Sequence, residues 1–205
     1  NVGMVKLCEN QDTKHLINYY KKFGIGKYPT SLMIPAREGH LPHESQFTLR
    51  DKVSSCYGYG ITLSALQIAQ AYSVFANDGN FIELNLFKDQ YVGEIHKHRT
   101  IGSETNRLIV DMLVETVNSS NGTASKARLK DFEVAGKTGT AKETLDEISS
   151  YTSTFAGFVP SDNPEYLAVI VLSGLTGEDY SGGRVSAPVF SNIMKQIFLM
   201  KDLEI

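Results

Sequence analysis

A change of hydrophobic period after Gly122 constrains this 205-residue chain more than any other feature. Residues 134–141, 152–159 and 166–173 are rich in β-branched and aromatic side chains and are bounded by turn signals. Each reads as a strand, and Ser161-Asp-Asn-Pro164 supplies a hairpin-like connection between the last two. Three such segments in succession predict an antiparallel meander. Helical periodicity dominates before Gly122. It returns at Ser186, where Phe190, Ile193, Met194 and Ile197 mark the buried stripe of a closing helix with Pro188 in its first turn. The pattern predicts an α+β fold of helices plus antiparallel sheet. The helical part covers about 1–120, and the meander with its closing helix covers about 130–200.

Three helices are legible in the first part. Residues 10–23 place Leu16, Tyr19, Tyr20 and Phe23 on one face, and Gly24 ends the run. Ser64 and Gln67 form a capping box for a helix over 62–77, which is so rich in alanine and apolar groups that burial on most sides is expected. A third helix over about 104–118 carries Leu108, Ile109, Met112, Leu113 and Val117 as its stripe, with Ser103 as N-cap. Between the first two lies an irregular stretch from Gly26 to about Ser55, containing Pro29, Pro35 and Pro42. It is long for a loop and reads as a packed or functional excursion.

Bulk properties exclude several function classes. A net charge of −3 shows no basic excess of the kind that nucleic acid or an anionic membrane attracts. No apolar run approaches the roughly 18–20 residues that span a bilayer. No signal peptide opens the chain, whose start at Asn1 reads as a cut end. Cys8 and Cys56 follow no metal or redox spacing. They read as two buried thiols, with a disulfide as the alternative in an oxidising compartment. His40/His43 and His96/His98 sit among polar, turn-rich residues and read as surface groups, so no metal site is expected.

The stretch Lys137-Thr-Gly-Thr-Ala-Lys142 carries the chemistry. A peptide can add to an exposed strand edge through main-chain hydrogen bonds if no side chain blocks it, and Gly139 leaves that space open. In a regular strand Lys137 and Gly139 share one face, with Thr138 and Thr140 on the other. A twist or bulge at the glycine would turn the two hydroxyls toward a bound carboxylate. Lys137 offers a fixed positive charge to such a carboxylate and helps a neighbouring hydroxyl lose its proton. The Thr140 N–H is placed to donate to a developing oxyanion, and one such donor is typically worth about 3–4 kcal/mol. Lys-Thr-Gly is one third of a known acyl-transfer constellation, whose other parts are Ser-x-x-Lys and Ser-x-Asn. No Ser-x-x-Lys occurs here, and Ser119-Ser-Asn121 lies only 16 positions before Lys137, where it reads as a glycine turn.

The surrounding residues extend the motif to a family. Asn1-Val-Gly resembles the end of a Ser-Ser-Asn-Val-Gly element, and Lys137 follows Asn1 by 136 positions. Tyr57-Gly-Tyr-Gly60 with Leu66-Gln67, and Gly122-Thr-Ala124 before Val134-Ala-Gly-Lys-Thr-Gly-Thr-Ala141, keep the same order. So does Tyr180-Ser-Gly-Gly183 with Val185-Ser-Ala-Pro-Val-Phe190. Nearly end to end, the chain resembles the C-terminal part of the transpeptidase domain of a class B penicillin-binding protein, the septal cell-division type of peptidoglycan D,D-transpeptidase.

That resemblance implies a partial penicillin-binding/β-lactamase-like transpeptidase fold, with residues 1–205 as the C-terminal portion of one domain. The implied reaction is cross-linking of stem peptides through a serine acyl-enzyme, without metal or organic cofactor. Its implied partners are D-Ala-D-Ala stem peptides, β-lactams and division proteins. Asn1, Lys137 and Thr140 take the implied catalytic roles: Asn1 holds the substrate's side-chain amide, Lys137 contacts the active-site hydroxyls, and the Thr140 N–H forms half of an oxyanion hole. Thr138, Gly139 and Thr140 would bind the substrate's carboxylate end, while Tyr57, Tyr59 and Tyr180 line the groove. The parent is expected in the bacterial inner membrane, with this region periplasmic. Lacking the Ser-x-x-Lys serine, the 205 residues alone are expected to be inactive. A β-lactam sensor, a β-lactamase-like acyltransferase or a non-catalytic binding lobe are the alternatives.

Overall fold

A computed structural model describes residues 2–27, 38–86, 96–145 and 148–203. Asn1 and the prolines at 29 and 35 therefore lie outside the described residues. The elements run α1 (Val2–Glu9), α2 (Thr13–Lys22), α3 (Leu49–Ser55), α4 (Ala65–Ala76), β1 (Asn80–Ile82), β2 (Lys97–Arg99), α5 (Ser103–Asn118), β3 (Ala135–Leu145), β4 (Ile148–Val159), β5 (Tyr166–Leu175) and α6 (Ser186–Leu203). The chain divides into two compact units, residues 1–74 with 80–100, and residues 75–79 with 101–205.

The first unit holds α1 to α3, most of α4, and an antiparallel pair in which Phe81 faces His98. Asp12 caps α2 by accepting from the His15 N–H at 2.8 Å. Its most buried residue is Ile17, while the expected Leu16, Tyr19, Tyr20 and Phe23 are half-buried. Gly24 stops the helix at φ +83°, a conformation that costs glycine little. The capping box at Ser64 forms: the Ser64 N–H donates to Gln67 Oε1 at 3.0 Å, and the Gln67 N–H to Ser64 Oγ at 3.2 Å.

α4 is covered on most sides, and its deepest residues include two glutamines, Gln67 and Gln70. Each satisfies main-chain groups of neighbouring segments. Gln70 Nε2 donates to the Ile82 carbonyl at 2.9 Å, and its Oε1 accepts from the Leu84 N–H at 2.8 Å. The described part of the irregular stretch contains α3, a helix that periodicity did not show. At seven residues it is too short to display a repeating face, and Thr48 with Asp51 builds its capping box.

The thiol reading of the cysteines is overturned, because Cys8 and Cys56 form a disulfide that joins α1 to the end of α3. The four paired-off histidines are all exposed.

The second unit is the predicted meander, with strand order β3-β4-β5, both pairings antiparallel. Phe155, Val159, Val134, Val117, Ala187, Phe190 and Met194 form its core, where α5 and α6 meet the sheet. Gly136 and Gly157 stand opposite each other and form a flat floor for the Phe155 ring. A Cβ at Gly136 would come within 2.4 Å of that ring.

Two predicted stripes are corrected. On α5, Leu108 and Met112 are half or more exposed, whereas Asn106 and Val117 are buried and Ile109, Val110, Leu113 and Val114 are half-buried. The packed face is rotated from the predicted one because Asn106 turns inward to donate to the Phe75 carbonyl at 3.0 Å. On α6, Ile193 is 40% exposed, and Phe198 takes its place by stacking on Phe132. Ser103 is also not the cap of α5. Gly102 occupies that position, and Ser103 Oγ donates to Asp78 Oδ2 at 2.8 Å.

Candidate functional site

The Lys137–Thr140 segment lies in β3, an edge strand of its sheet. Its register with β4 is unbroken from Ala135↔Phe158 to Leu145↔Ile148, so no bulge exists at Gly139. None is needed: simple alternation puts Thr138 and Thr140 on one face. The sheet's irregularity falls instead between β4 and β5, near Gly174 at φ +72°.

The direction of the main-chain groups follows from their partners. The Glu133 carbonyl turns toward the β4 side and accepts from the Ser161 N–H at 2.9 Å. The Val134 carbonyl accepts from Asn118 Nδ2 at 2.9 Å, and the Gly136 carbonyl from Thr116 Oγ1, both on α5. Because N–H and C=O alternate sides along a strand, the N–H and C=O of Thr138 and Thr140 face the edge of β3 away from β4. Lys137 Nζ reaches that edge and donates to the Thr138 carbonyl at 3.0 Å. Lys137, Gly139 and Thr140 are exposed and Thr138 is half-buried. A Cβ at Gly139 would meet only Thr154 Cβ, at 3.6 Å, so this part of the strand is open.

A second segment roofs the threonine face. The Gly182 N–H donates to Thr140 Oγ1 at 3.1 Å. A Cβ at Gly182 would lie 2.5 Å from the Thr154 carbonyl and 2.7 Å from that of Gly139, so only glycine fits. The Gly182 carbonyl in turn accepts from the Ala187 N–H at 2.9 Å, tying the segment to the first turn of α6. Beneath it, the hydroxyls of Ser153 and Ser186 share a buried hydrogen bond of 2.6 Å. Thr138 Oγ1 donates to Thr123 Oγ1 at 3.4 Å, which brings the Gly122-Thr-Ala124 segment to the same face. Asp179 pairs with Arg184 at 2.7 Å across the roofing segment, and its carboxylate holds the guanidinium pKa above the ordinary value.

Tyr180 stacks flat on Tyr151, with ring centroids 3.7 Å apart and planes at 10°. Tyr151 stands opposite Lys142 in the β3–β4 register. Sequence reasoning missed Tyr151 and Thr123, since each gains its place only through pairing or a loop contact. Tyr57 and Tyr59 belong to the first unit, with rings 5.7 Å apart and Tyr59 49% exposed.

Ser119-Ser-Asn121 is the expected turn, closed by the Gly122 N–H donating to the Ser119 carbonyl at 3.2 Å. Another literal Ser-x-Asn, Ser161-Asp-Asn163, is the β4–β5 hairpin, where the Asn163 N–H donates to Asp162 Oδ1 at 3.0 Å. A cavity of about 540 Å³ beside α5 contains none of the candidate residues. No cluster suited to a metal ion occurs among the described residues.

The arrangement is a strand edge with paired donors and acceptors, a cation beside it, and a hydroxyl face under a glycine roof. Such an edge can hold an extended peptide and direct an N–H at its carbonyl oxygen.

Comparison with known proteins adds independent findings. The family model described as penicillin binding protein transpeptidase domain matches residues 1–195. The chain is 34% identical over 209 residues to the peptidoglycan D,D-transpeptidase FtsI of Buchnera aphidicola from Schizaphis graminum, covering 100% of this chain and 36% of that protein. It is 30% identical over 207 residues to the FtsI of Escherichia coli K12, covering 100% of this chain and 35% of that protein. Among solved structures, the apo transpeptidase domain of Burkholderia pseudomallei penicillin-binding protein 3 superposes with a TM-score of 0.86 at 28% identity, covering 97% of this chain and 61% of that one. The chain thus spans about a third of the length of the curated relatives it matches.

Proposed function

Because this chain belongs to the penicillin-binding protein transpeptidase domain family, we propose that it forms the strand-bearing part of a septal peptidoglycan D,D-transpeptidase. The observation that carries the reading is the β3 edge, where the Thr138 and Thr140 main chains face away from β4 beneath the Gly182 roof. A stem peptide lies along this edge with its terminal carboxylate toward Lys137 and the two threonine hydroxyls. A serine supplied from upstream of Asn1 attacks the penultimate D-Ala carbonyl. Its proton passes to a neighbouring base, and the Thr140 N–H stabilises the oxyanion. Collapse of that intermediate breaks the peptide bond and expels D-Ala, whose new amine takes the proton. The amine of a second stem then attacks the acyl-enzyme, forms the cross-link and restores the serine.

Asn1 is assigned to the substrate's side-chain amide, and Tyr57, Tyr59 and Tyr180 are assigned to substrate binding. β-Lactams acylate the same serine, and division proteins meet the parent enzyme. The Cys8–Cys56 disulfide supports a place in an oxidising compartment, as in the periplasm, since such bonds seldom persist in the cytosol. Among the described residues no helix is long and apolar enough to cross a membrane. Anchoring of the parent in the inner membrane is proposed from the family resemblance.

Fluorescent-penicillin labelling of residues 1–205 beside the full-length protein that carries them tests this reading. The full-length protein is expected to label and the 205 residues not to. Label on the shorter chain would place a nucleophile inside it and overturn the assignment, and an unlabelled full-length protein would overturn the family chemistry for this protein.

A further inference from the structure

The first unit contains a device that neither the family motifs nor the proposed chemistry uses. α1 has eight residues and α3 has seven, both too short to hold a helix in water by themselves. They are fastened together twice. The disulfide joins Cys8, the buried residue of α1, to Cys56 at the C-cap of α3, with the Cα atoms 6.4 Å apart. One turn earlier on α3, Lys52 is 7% exposed, and its Nζ donates to the Glu9 carbonyl at 3.1 Å and the Gln11 carbonyl at 2.8 Å. A buried ammonium that donates to carbonyls at and just past a helix end completes that helix's C-terminal hydrogen bonding and complements its dipole. Tyr20 on α2 adds a third tie, donating its hydroxyl to Ser55 Oγ at 3.2 Å.

What this clasp holds is the Tyr57-Gly-Tyr-Gly60 turn. Its amides are bonded to the last carbonyls of α3: Tyr57 and Tyr59 donate to Ser54 at 3.2 and 3.0 Å, and Gly58 donates to Ser55 at 3.1 Å. Gly58 and Gly60 take φ values of +99° and +78°, so the turn runs back on α3 in a shape set by glycine. The turn is therefore an extension of α3, and its position is that of α3. The other end of the clasp is α1, whose first residue Val2 follows Asn1.

We propose that Cys8, Cys56 and Lys52 are positioning residues, a covalent and electrostatic clasp that sets the Tyr57–Gly60 turn against the helix that follows Asn1. The inference rests on the reading of Tyr57 and Tyr59 as substrate-binding residues. Without the clasp, two short helices sample other relative positions, and the tyrosines lose their fixed place beside the helix that follows Asn1. Substrate and β-lactam then acylate the serine more slowly even while the protein stays folded.

The test uses the full-length protein that carries this chain, as wild type, as Cys8→Ser/Cys56→Ser and as Lys52→Met, all held well below their melting temperatures. Hydrogen exchange is followed at residues 57–60 and through α1, alongside the rate of acylation by fluorescent penicillin. The serine pair is expected to raise exchange at both segments and slow acylation several-fold. Lys52→Met is expected to do the same to a smaller degree with the disulfide intact, and dithiothreitol to slow only proteins that keep both cysteines. Unchanged exchange at residues 57–60, or a lowered melting temperature with an unchanged acylation rate, would overturn the clasp. If the serine pair does not fold, Lys52→Met decides. If wild type takes no penicillin label, the transpeptidase reading fails, while exchange at residues 57–60 still judges the clasp.

Discussion

At the scale of single residues, the site depends on atoms that are missing as much as on those present. Gly139 leaves open the strand where an extended peptide would lie, and Gly182 lies so close to the β3 and β4 carbonyls that any side chain would displace the roof. Gly182→Ala is expected to cost about 1–3 kcal/mol, as overpacking does, and to slow β-lactam acylation of the full-length protein. Gly177→Ala is the matched control, because a Cβ there meets nothing within 4 Å. Thermal melting and the labelling rate check both. That Lys137–Thr140 lies in a strand with Thr138 and Thr140 on one face was legible from the letters alone, since alternation along a strand needs no tertiary information. Tyr151 was not: it matters only because Tyr180, 29 positions later, folds back to stack on it.

At the scale of elements, the three strands and α6 emerged near their predicted bounds because β-branched runs and turn residues are local signals. The inward faces of α5 and α6 did not follow the apolar stripe throughout. Leu108, Met112 and Ile193 face outward, and an inward Asn106 is stabilised by a carbonyl in the last turn of α4. Hydrophobic periodicity assumes that burial selects only apolar groups, and a satisfied amide breaks that assumption. α1 and α3 were missed because a two-turn helix shows too little repeat, and because one disulfide does the work that length would otherwise do.

Phe155 is the element-scale test of the sheet–helix core. Its ring lies on Gly136 and Gly157 and against Phe190 at a centroid distance of 4.8 Å. Phe155→Ala is expected to destabilise the second unit by about 3–5 kcal/mol, read from urea unfolding followed by a probe in the sheet. A loss below about 1 kcal/mol would show that the cavity collapses without cost and that the glycine floor is not what orders the ring.

At the scale of the whole molecule, the chain carries apolar surface that its own described residues leave uncovered. Val2, Leu7 and Leu49 are 72%, 63% and 66% exposed on the two helices that the disulfide joins. Large apolar side chains left this exposed favour association, so residues 1–205 alone are expected to self-associate with rising concentration. Leu7→Glu is expected to shift sedimentation toward the monomer, and a concentration-independent monomer for the unsubstituted chain would contradict this. The sequence by itself determined the α+β class, the order of the strands, the strand that carries Lys-Thr-Gly and the family, because these rest on local periodicity and on motifs kept in linear order. Only the tertiary structure decided that the threonine main chains face the edge away from β4, that Gly182 roofs them, and that Cys8 meets Cys56. Each of those depends on which distant segments meet in space, and spacing along a chain does not encode that.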